Sequence, residues 1–295
     1  MSALIQIQDQ YTKLTIAPEL GGAITRWQRV EDGFDLLRPL TLEHPIQSTV
    51  TARQSAAFAL IPWSNRIAQG GTNTPNGWFE LPANTIDSPF AMHGSTWQHA
   101  WQVLEQDEHH VRLVCECKSP VHLRVEQQIQ LHDGCLTLNF HLTHLDERPF
   151  LHGYGWHPFF YRNEYTQLQS QVGQMWHRDE QGLSTHEVDL PCDLDFATIH
   201  TLPERLVDHA FSDWQGTCRI QQPDLGYELE LTSQDAAYLI MYFPLKQPFF
   251  CLEPVSHPIN AHHLPNQPGL KYLKQNDELT WQVKLQYKTI SASEF

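Results

Sequence analysis

Basic residues are scarce in this sequence of 295 residues. Lysine and arginine number 19 against 34 aspartates and glutamates, which gives a formal net charge of −15. A surface of this sign repels the phosphates of nucleic acids and the anionic headgroups of lipids. We therefore expect neither nucleic acid nor a membrane surface as a partner.

Long apolar runs and a secretory leader are also missing. The N-terminal residues MSALIQIQDQYTKL lack the basic region followed by an apolar region that a signal peptide has. No uninterrupted apolar run approaches the roughly 20 residues that a membrane-spanning helix needs. We expect a cytoplasmic protein.

Paired cysteine motifs are absent. The six cysteines include no CxxC pair and follow neither a disulfide framework nor a zinc-ribbon spacing. We expect reduced thiols, most of them buried. The cysteines are Cys115, Cys117, Cys135, Cys192, Cys218 and Cys251.

Helical periodicity is weak throughout the chain, and the best candidate for a short helix is residues 204–210. Apolar residues instead alternate with polar ones, as at Leu136, Leu138 and Phe140. The Asp133-Gly134 pair, which suits a tight turn, separates this run from a similar run over residues 121–131. The pattern predicts a β-hairpin here and strands along the whole chain.

The fold class follows from these many short strands. Strands without helical crossovers favour antiparallel sheets, stacked as a sandwich or closed as a barrel. No Gly/Pro-rich linker divides the chain, and no repeat typical of a propeller is visible. We predict an all-β protein with a single domain over residues 1–295.

A phosphate-binding loop and a metal-binding motif are both missing. The glycine pairs at 21–22 and 70–71 are followed by neither a lysine nor a helical pattern. His152 and His157 have the spacing of zinc ligands on a helix, but the glycines and proline around them oppose a helix. We expect no nucleotide chemistry, no metal and no cofactor.

Five segments between predicted strands are unusual for simple connections. Each combines aromatic residues or proline with a polar side chain that can exchange hydrogen bonds or protons. Loops rich in apolar residues are costly to expose, so we expect these segments to line a cleft. They span residues 61–71, 92–97, 152–160, 207–211 and 251–261.

His157 and Glu253 are the strongest candidates for proton transfer. His157 precedes Pro158 in an aromatic segment, a stiff and apolar setting that would tune the pKa of the imidazole. Glu253 ends an apolar stretch before Pro254, so a carboxylate is expected at the end of a buried strand. The structural alternative for Glu253 is an ion pair with Arg66.

The order of these segments resembles that of the aldose 1-epimerase (galactose mutarotase-like) family. The resemblance extends from about residue 15 to residue 287, and the five motifs occur in the family's order. It implies a large antiparallel β-sandwich of the supersandwich type, in agreement with the alternation. The matching motifs are Asn65-Arg66, His93-Gly94 with Trp101, His157-Pro158, Asp208-His209 with Phe211, and Glu253-Pro254 with Asn260-Ala261.

The resemblance also implies a role for each matching residue. Glu253 would be the general base and His157 the general acid, with His93 assisting at the ring oxygen or an adjacent hydroxyl. Anomers interconvert when the C1 hydroxyl loses a proton and the ring oxygen gains one, so an ionised carboxylate and a protonated imidazole suffice. The implied substrate is a small sugar. The residues implied to bind its hydroxyls are Asn65, Arg66 and Asp208.

The sequence departs from the family's pattern in one strand. Some members carry a glutamine in the strand before the catalytic glutamate, and the corresponding run AYLIMYFPLKQPFF has no clear equivalent. A preference for galactose is therefore not implied. Trp63 and Trp156 are candidates to stack on a sugar face or to pack in the core.

Three alternative functions remain open at this point. A hexose 6-phosphate mutarotase needs clustered basic groups, and only Arg66 lies securely near the motifs, with Arg53 and Lys246 placed less securely. A free aldose is therefore favoured. A non-catalytic sugar-binding protein would lack the acid or the base, and both are present. An uncommon sugar or a sugar acid is the third alternative, and the sequence carries no signal for the oligomeric state.

Overall fold

β-Strands make up most of the regular secondary structure, which confirms the predicted all-β class. The computed structural model of the protein describes residues 4–42 and 49–290. Within these ranges the helices are single 3₁₀ turns, and none is long or apolar enough to cross a membrane. The turns are Ala52–Gln54, Thr96–Gln98, Cys192–Leu194, Pro223–Leu225 and Ala261–His263.

The larger sheet has ten antiparallel strands, and distant parts of the chain are neighbours in it. In sheet order the strands are β1 (Ile5–Gln8), β2 (Thr12–Ala17), β3 (Ala23–Arg29), β4 (Ala57–Leu60), β14 (Gly155–Tyr161), β23 (Phe249–Val255), β22 (Tyr238–Phe243), β19 (Val207–Phe211), β16 (Met175–Arg178) and β17 (Ser184–Val188). This order brings the segments around residues 58, 157, 208 and 253 onto five adjacent strands.

The second sheet has nine antiparallel strands. The hairpin of β11 (Leu123–His132) and β12 (Cys135–His144) pairs His132 with Cys135 across Asp133 and Gly134. Both turn residues have positive φ, so the predicted turn is confirmed. In sheet order the strands are β18 (Phe196–Thr201), β15 (Gln167–Ser170), β20 (Thr217–Gln222), β21 (Tyr227–Thr232), β25 (Glu278–Thr289), β12 (Cys135–His144), β11 (Leu123–His132), β10 (His110–Cys117) and β9 (Gln102–Gln106).

Three two-stranded ribbons connect or flank these sheets. One of them joins the segment after Asn65 to the segment before His93. The ribbons are β5 (Arg66–Ile67) with β8 (Ala91–Met92), β6 (Gly71–Thr74) with β7 (Gly77–Glu80), and β13 (Phe150–His152) with β24 (Lys271–Leu273).

The two large sheets stack face to face over one hydrophobic core. Leu14 and Trp27 from the ten-stranded sheet belong to the same buried cluster as Leu138 and Leu285 from the nine-stranded sheet. The predicted sandwich is therefore confirmed. All six cysteines are free thiols, and four of them are buried.

The middle of the ten-stranded sheet is buried on both faces. In β4, Ala57 and Ala59 join the core between the sheets, whereas Phe58 and Leu60 join a second buried cluster on the opposite face. Because successive side chains of a strand point to opposite faces, this second cluster lies on the outer face, under loops. The outer face is where the cleft forms.

The prediction of a short helix at residues 204–210 is wrong. Most of this segment forms β19, which pairs with β22 at every position from Val207 to Phe211. Val207 and Phe211 are completely buried in the core between the sheets. Pairing and burial of these two side chains outweigh the weak local helical pattern.

Candidate active site

A cavity of about 490 Å³ opens on the outer face of the ten-stranded sheet. All six residues to which the family resemblance assigns a role line this cavity. The lining residues are Arg38, Thr49, Thr51, Arg53, Gln54, Phe58, Asn65, Arg66, Met92, His93, His157, Phe159, Asp208, Tyr242, Phe249 and Glu253.

Strand register brings His157 and Glu253 together. In the β14–β23 pair, Gly155 lies opposite Val255 and Phe159 lies opposite Cys251, so His157 on β14 faces Glu253 on β23. The His157 Nε2 atom lies 3.3 Å from the Glu253 Oε1 atom. The other carboxylate oxygen, Oε2, is buried and has no hydrogen-bond partner in the described part of the chain. It is therefore available to accept a hydrogen bond from a ligand.

Two aromatic rings hold the imidazole of His157 in place. Phe58 stacks on one side at 5.0 Å between ring centroids, and Phe159 stacks at 4.5 Å, both within 19° of coplanar. Such close stacking restricts rotation of the His157 ring about its own axis. The Nε2 atom is thereby kept directed at Glu253.

The His93 ring is oriented by the backbone of Asn65. The Asn65 N–H donates to His93 Nδ1 at 3.1 Å, and the His93 N–H donates to the Asn65 carbonyl at 2.9 Å. Because Nδ1 accepts, the neutral ring carries its proton on Nε2 and presents a donor to the cavity. A Cβ at Gly94, whose φ is +69°, would overlap the carbonyl of Ile61, which explains the glycine after His93.

Arg66 does not form the ion pair with Glu253 that the sequence offered as an alternative. Its Nη1 instead donates to Asn65 Oδ1 at 3.1 Å and to the carbonyl of Gly182 at 3.4 Å. The partner of Glu253 is His157. Arg66 is thus held by neutral oxygens and can still bind a polar ligand group.

Asp208 is paired with an arginine that sequence reasoning missed. Arg178, on β16, forms an ion pair with the Asp208 carboxylate and also donates to its backbone carbonyl. Arg178 also donates to the carbonyl of Gly182, the residue whose carbonyl accepts from Arg66. No motif marks Arg178, because its role depends on the β16–β19 pairing across about 30 residues.

Burial displaces the pKa values of the central groups toward their neutral forms. It raises the pKa of Glu253 well above its usual range, and the nearby Asp208 carboxylate adds to this effect while Arg66 opposes it. Burial also lowers the pKa of His157 well below its usual value, and His93, Arg38 and Arg53 lower it further. Both shifts favour a carboxylic acid beside a neutral imidazole over the ion pair that the resemblance implies.

The pKa of His93 is lowered to about 3, first by burial and then by Arg53 and Arg66. His93 is therefore neutral at physiological pH, and its Nε2–H is a neutral hydrogen-bond donor. This matches a role in assisting a proton transfer rather than carrying one.

The structure adds basic groups to the cavity that the sequence did not locate. Arg38 and Arg53 both line it, whereas Lys246 lies on a separate cavity of about 500 Å³ that contains none of the predicted residues. Burial lowers the pKa of Arg38 to about 10, so it remains charged at neutral pH. Arg38 reaches the site because its N–H pairs with the Phe159 carbonyl, a contact between segments 121 residues apart that no local pattern reveals.

Trp63 and Trp156 do not line the cavity. Both are about 99% buried within the core between the sheets. Of the two uses that the sequence left open for them, the structure shows core packing.

Among residues 4–42 and 49–290, no three histidine, cysteine or acidic side chains cluster as metal ligands. His152 contacts His144 in the core and lies outside the cavity.

Comparison with known sequences decides the family. A model of the aldose 1-epimerase family matches residues 3–286. The chain belongs to the aldose 1-epimerase family. The uncharacterized protein YphB from Escherichia coli K12 is 30% identical over 284 residues, which cover 92% of this chain and 94% of YphB. The uncharacterized protein YihR from the same organism is 28% identical over 221 residues, 68% of this chain and 70% of YihR.

Solved structures of aldose 1-epimerase-like proteins share the fold. An aldose 1-epimerase candidate from E. coli K12 superposes with a TM-score of 0.90 at 28% identity, over 98% of this chain and 99% of that one. Galactose 1-epimerase from Lactobacillus acidophilus NCFM superposes with a TM-score of 0.77 at 16% identity, over 98% and 96% of the two chains. The galactose mutarotase-like sandwich that the resemblance implies is therefore confirmed.

Proposed function

We propose that this member of the aldose 1-epimerase family is an isomerase that interconverts the α and β anomers of an aldose. The contact between His157 and Glu253 on the floor of a sugar-sized cavity carries the proposal. A proton donor and a proton acceptor within reach of one acetal centre are what ring opening requires. Both groups lie on central strands, which hold them more rigidly than loops would.

The reaction starts at the C1 hydroxyl of the sugar. Glu253 removes the hydroxyl proton through Oε2, the oxygen without a partner in the described chain, while His157 gives a proton to the ring oxygen. The bond between C1 and the ring oxygen breaks, and the open-chain aldehyde forms. Rotation about the C1–C2 bond exposes the other face of the aldehyde. Reclosure reverses both proton transfers and returns the pair to its starting state.

The pair carries a single proton in each of its two forms. A neutral acid with a neutral imidazole, and a carboxylate with an imidazolium, differ only in the position of that proton. Burial of both groups favours the neutral form. Hydroxyl groups of a bound sugar donate to the carboxylate and accept from the imidazolium, so binding shifts the pair toward the reactive form.

The surrounding polar groups suit a polyhydroxylated ligand. We assign Asn65, Arg66 and Asp208 to the binding of sugar hydroxyls, and His93 to a hydrogen bond at the ring oxygen or an adjacent hydroxyl. The ion pair with Arg178 holds the Asp208 carboxylate in place, so its oxygens can accept hydrogen bonds from a ligand.

The direct test follows the anomeric protons of freshly dissolved single-anomer aldoses by NMR, with and without the protein. We expect exchange to be accelerated, and Glu253→Gln to lower kcat by about 10²-fold or more because the amide cannot accept the proton. Glu230→Gln is the matched control, since Glu230 lies on β21 in the other sheet, and its kcat should equal that of the wild type.

Two results would contradict the proposal. Glu253→Gln with more than a tenth of the wild-type kcat would reject Glu253 as the base. Sugar binding without any acceleration of exchange, for every aldose tested, would favour a non-catalytic sugar-binding protein.

A further inference from the structure

The cavity carries more positive charge than the binding of sugar hydroxyls requires. Three arginines line it, Arg38, Arg53 and Arg66, together with two acidic residues, Asp208 and Glu253. The whole chain has a net charge of −15, so this concentration of arginines runs against the overall balance. Local charge of this kind attracts an anionic ligand that the rest of the surface repels.

The acidic groups of the cavity do not neutralise these arginines. Asp208 is paired with Arg178, and Glu253 faces His157. Within residues 4–42 and 49–290, neither Arg38 nor Arg66 forms an ion pair with a carboxylate.

Arg38 is fixed close to the proton-transfer pair. Its guanidinium carbon lies 3.5 Å from the ring centroid of Phe159, the same ring that stacks on His157 at 4.5 Å. A single phenyl ring therefore separates Arg38 from the catalytic imidazole. An anion bound at Arg38 would lie within the reach of a sugar whose C1 is at Glu253.

Arg38 and Arg53 belong to one hydrogen-bonded unit. Arg38 Nη2 donates to the carbonyl of Arg53 at 2.8 Å and to the carbonyl of Ser55 at 2.7 Å, while its Nε has no partner in the described chain. Arg53 points its guanidinium at Asp87, a pair in which both side chains are at least one-third exposed. A guanidinium has five N–H donors, and the pair with Asp87 uses two of them. The remaining donors of Arg53 can bind an oxyanion of the ligand.

Given the epimerase function proposed above, we propose that the substrate is an aldose that carries an oxyanion, a phosphate or a carboxylate, at the end remote from C1. This group binds between Arg38 and Arg53, while the acetal centre lies at His157 and Glu253. Planar guanidinium groups match the geometry of both oxyanions, and charge-assisted hydrogen bonds are about twice as strong as neutral ones.

The first experiment compares neutral and anionic sugars in the NMR exchange assay. Glucose and galactose are tested beside their 6-phosphates and their uronates, which distinguishes a phosphate from a carboxylate. We expect kcat/KM for one anionic class to exceed that of the neutral sugar by about tenfold or more. The KM of that substrate should rise with ionic strength, because salt screens the attraction. Equal kcat/KM values for neutral and anionic sugars would overturn the proposal.

The second experiment assigns the preference to the two arginines. Arg53→Gln and Arg38→Gln should each lower the ratio of kcat/KM for the anionic sugar to that for the neutral sugar by about tenfold. Arg38→Lys keeps the charge and should retain part of the ratio. Arg219→Gln, which removes an equally charged, ion-paired arginine from the nine-stranded sheet, should leave the ratio unchanged. If the ratio for Arg53→Gln and Arg38→Gln falls no further than the ratio for Arg219→Gln, the proposed site is contradicted.

A binding measurement separates this inference from the epimerase proposal. The probes are 1,5-anhydroglucitol and its 6-phosphate, which have no anomeric hydroxyl, titrated into the wild-type protein by calorimetry together with inorganic phosphate. If the protein binds the 6-phosphate more tightly than 1,5-anhydroglucitol itself but no sugar is anomerised, the epimerase proposal fails and the oxyanion site stands. If neutral aldoses are anomerised and the 6-phosphate and the uronates gain nothing in binding or turnover, the oxyanion site fails and the epimerase proposal stands.

Discussion

In β12 of the nine-stranded sheet, half-buried and buried residues alternate over all ten positions, whereas six of the seven residues of β14 in the ten-stranded sheet are buried. The first strand has one face on the core and one face toward solvent. The second strand has the core on one face and the cleft under its loops on the other. Covering a second face allows polar groups such as His157 and Glu253 to be held away from water, where their pKa values shift and proton transfer becomes possible.

The difference between the sheets also separates stability from function. Ion pairs on the outer face of the nine-stranded sheet, such as Arg219 with Glu230, are partly exposed and contribute little. On the outer face of the ten-stranded sheet, the buried Glu253 retains an oxygen without a partner in the described chain. Such a group costs stability, so its presence is better explained by its chemistry than by packing.

The largest effect on stability is expected from the core side of the nine-stranded sheet. Leu138 on β12 is completely buried, and Leu138→Ala should lower the free energy of unfolding by about 2–5 kcal/mol through the loss of contacts and the cavity left behind. The neighbouring Thr137→Ala, on the outer face, should cost less than about 1 kcal/mol. Urea unfolding of both variants measures the contrast. Equal losses would show that the alternation along β12 does not separate core from surface.

A pair of adjacent phenylalanines sharpens the comparison within one strand. Phe160 belongs to the core between the sheets, so Phe160→Leu should cost about 1–2 kcal/mol of unfolding free energy and leave kcat nearly unchanged. Phe159 stacks on His157 and under Arg38, so Phe159→Leu should lower kcat by about two- to tenfold through the loss of ring packing. Kinetic assays and urea unfolding of both variants measure the contrast. Phe160→Leu should lose mainly stability, and Phe159→Leu should lose mainly kcat. A larger loss of kcat in Phe160→Leu would reject the division of β14 into a core face and a site face.

The smallest expected effect is a shift of one limb of the pH profile. The active pair holds one proton, so kcat/KM should be bell-shaped in pH. Because burial lowers the pKa of His157 and raises that of Glu253, the acidic limb should follow His157 and the alkaline limb Glu253. Asp208→Asn removes a carboxylate that raises the pKa of Glu253, so the alkaline limb should move to lower pH.

The acidic limb of Asp208→Asn serves as the internal reference and should stay in place, although the overall activity falls because Asp208 is assigned to sugar binding. Movement of the acidic limb instead would mean that Glu253 has the lower pKa of the two, as a carboxyl in an ordinary environment would.

The same contrast explains which parts of the fold were predictable. Alternation is visible in the sequence of β11, β12 and β25 because each has one face toward solvent. It is hidden in β4, whose four residues are all buried. A strand covered on both faces loses its period of two, so the pattern there shows only an apolar run.

The candidate site was predictable only where local motifs carry the signal. Backbone geometry requires the glycine after His93, and a proline follows both His157 and Glu253, so these motifs can be recognised in the sequence. Arg38 and Arg178 reach the site through backbone pairing between distant segments of the chain. No motif in the residues next to them in the sequence indicates this pairing. The sequence alone therefore places fewer basic groups near the cleft than the structure does, and it gives less support to an anionic sugar.

The position of β25 between β21 and β12 bears on how the protein is made. It pairs with nine residues of β12 and six residues of β21, and it follows every other strand of the described chain. Until residues 278–289 have been synthesised, the strands β9–β12 and the strands β15, β18, β20 and β21 can form only two half-sheets with open edges. Open edges of this length invite pairing with other chains, so the nine-stranded sheet is exposed to incorrect pairing until β25 is in place.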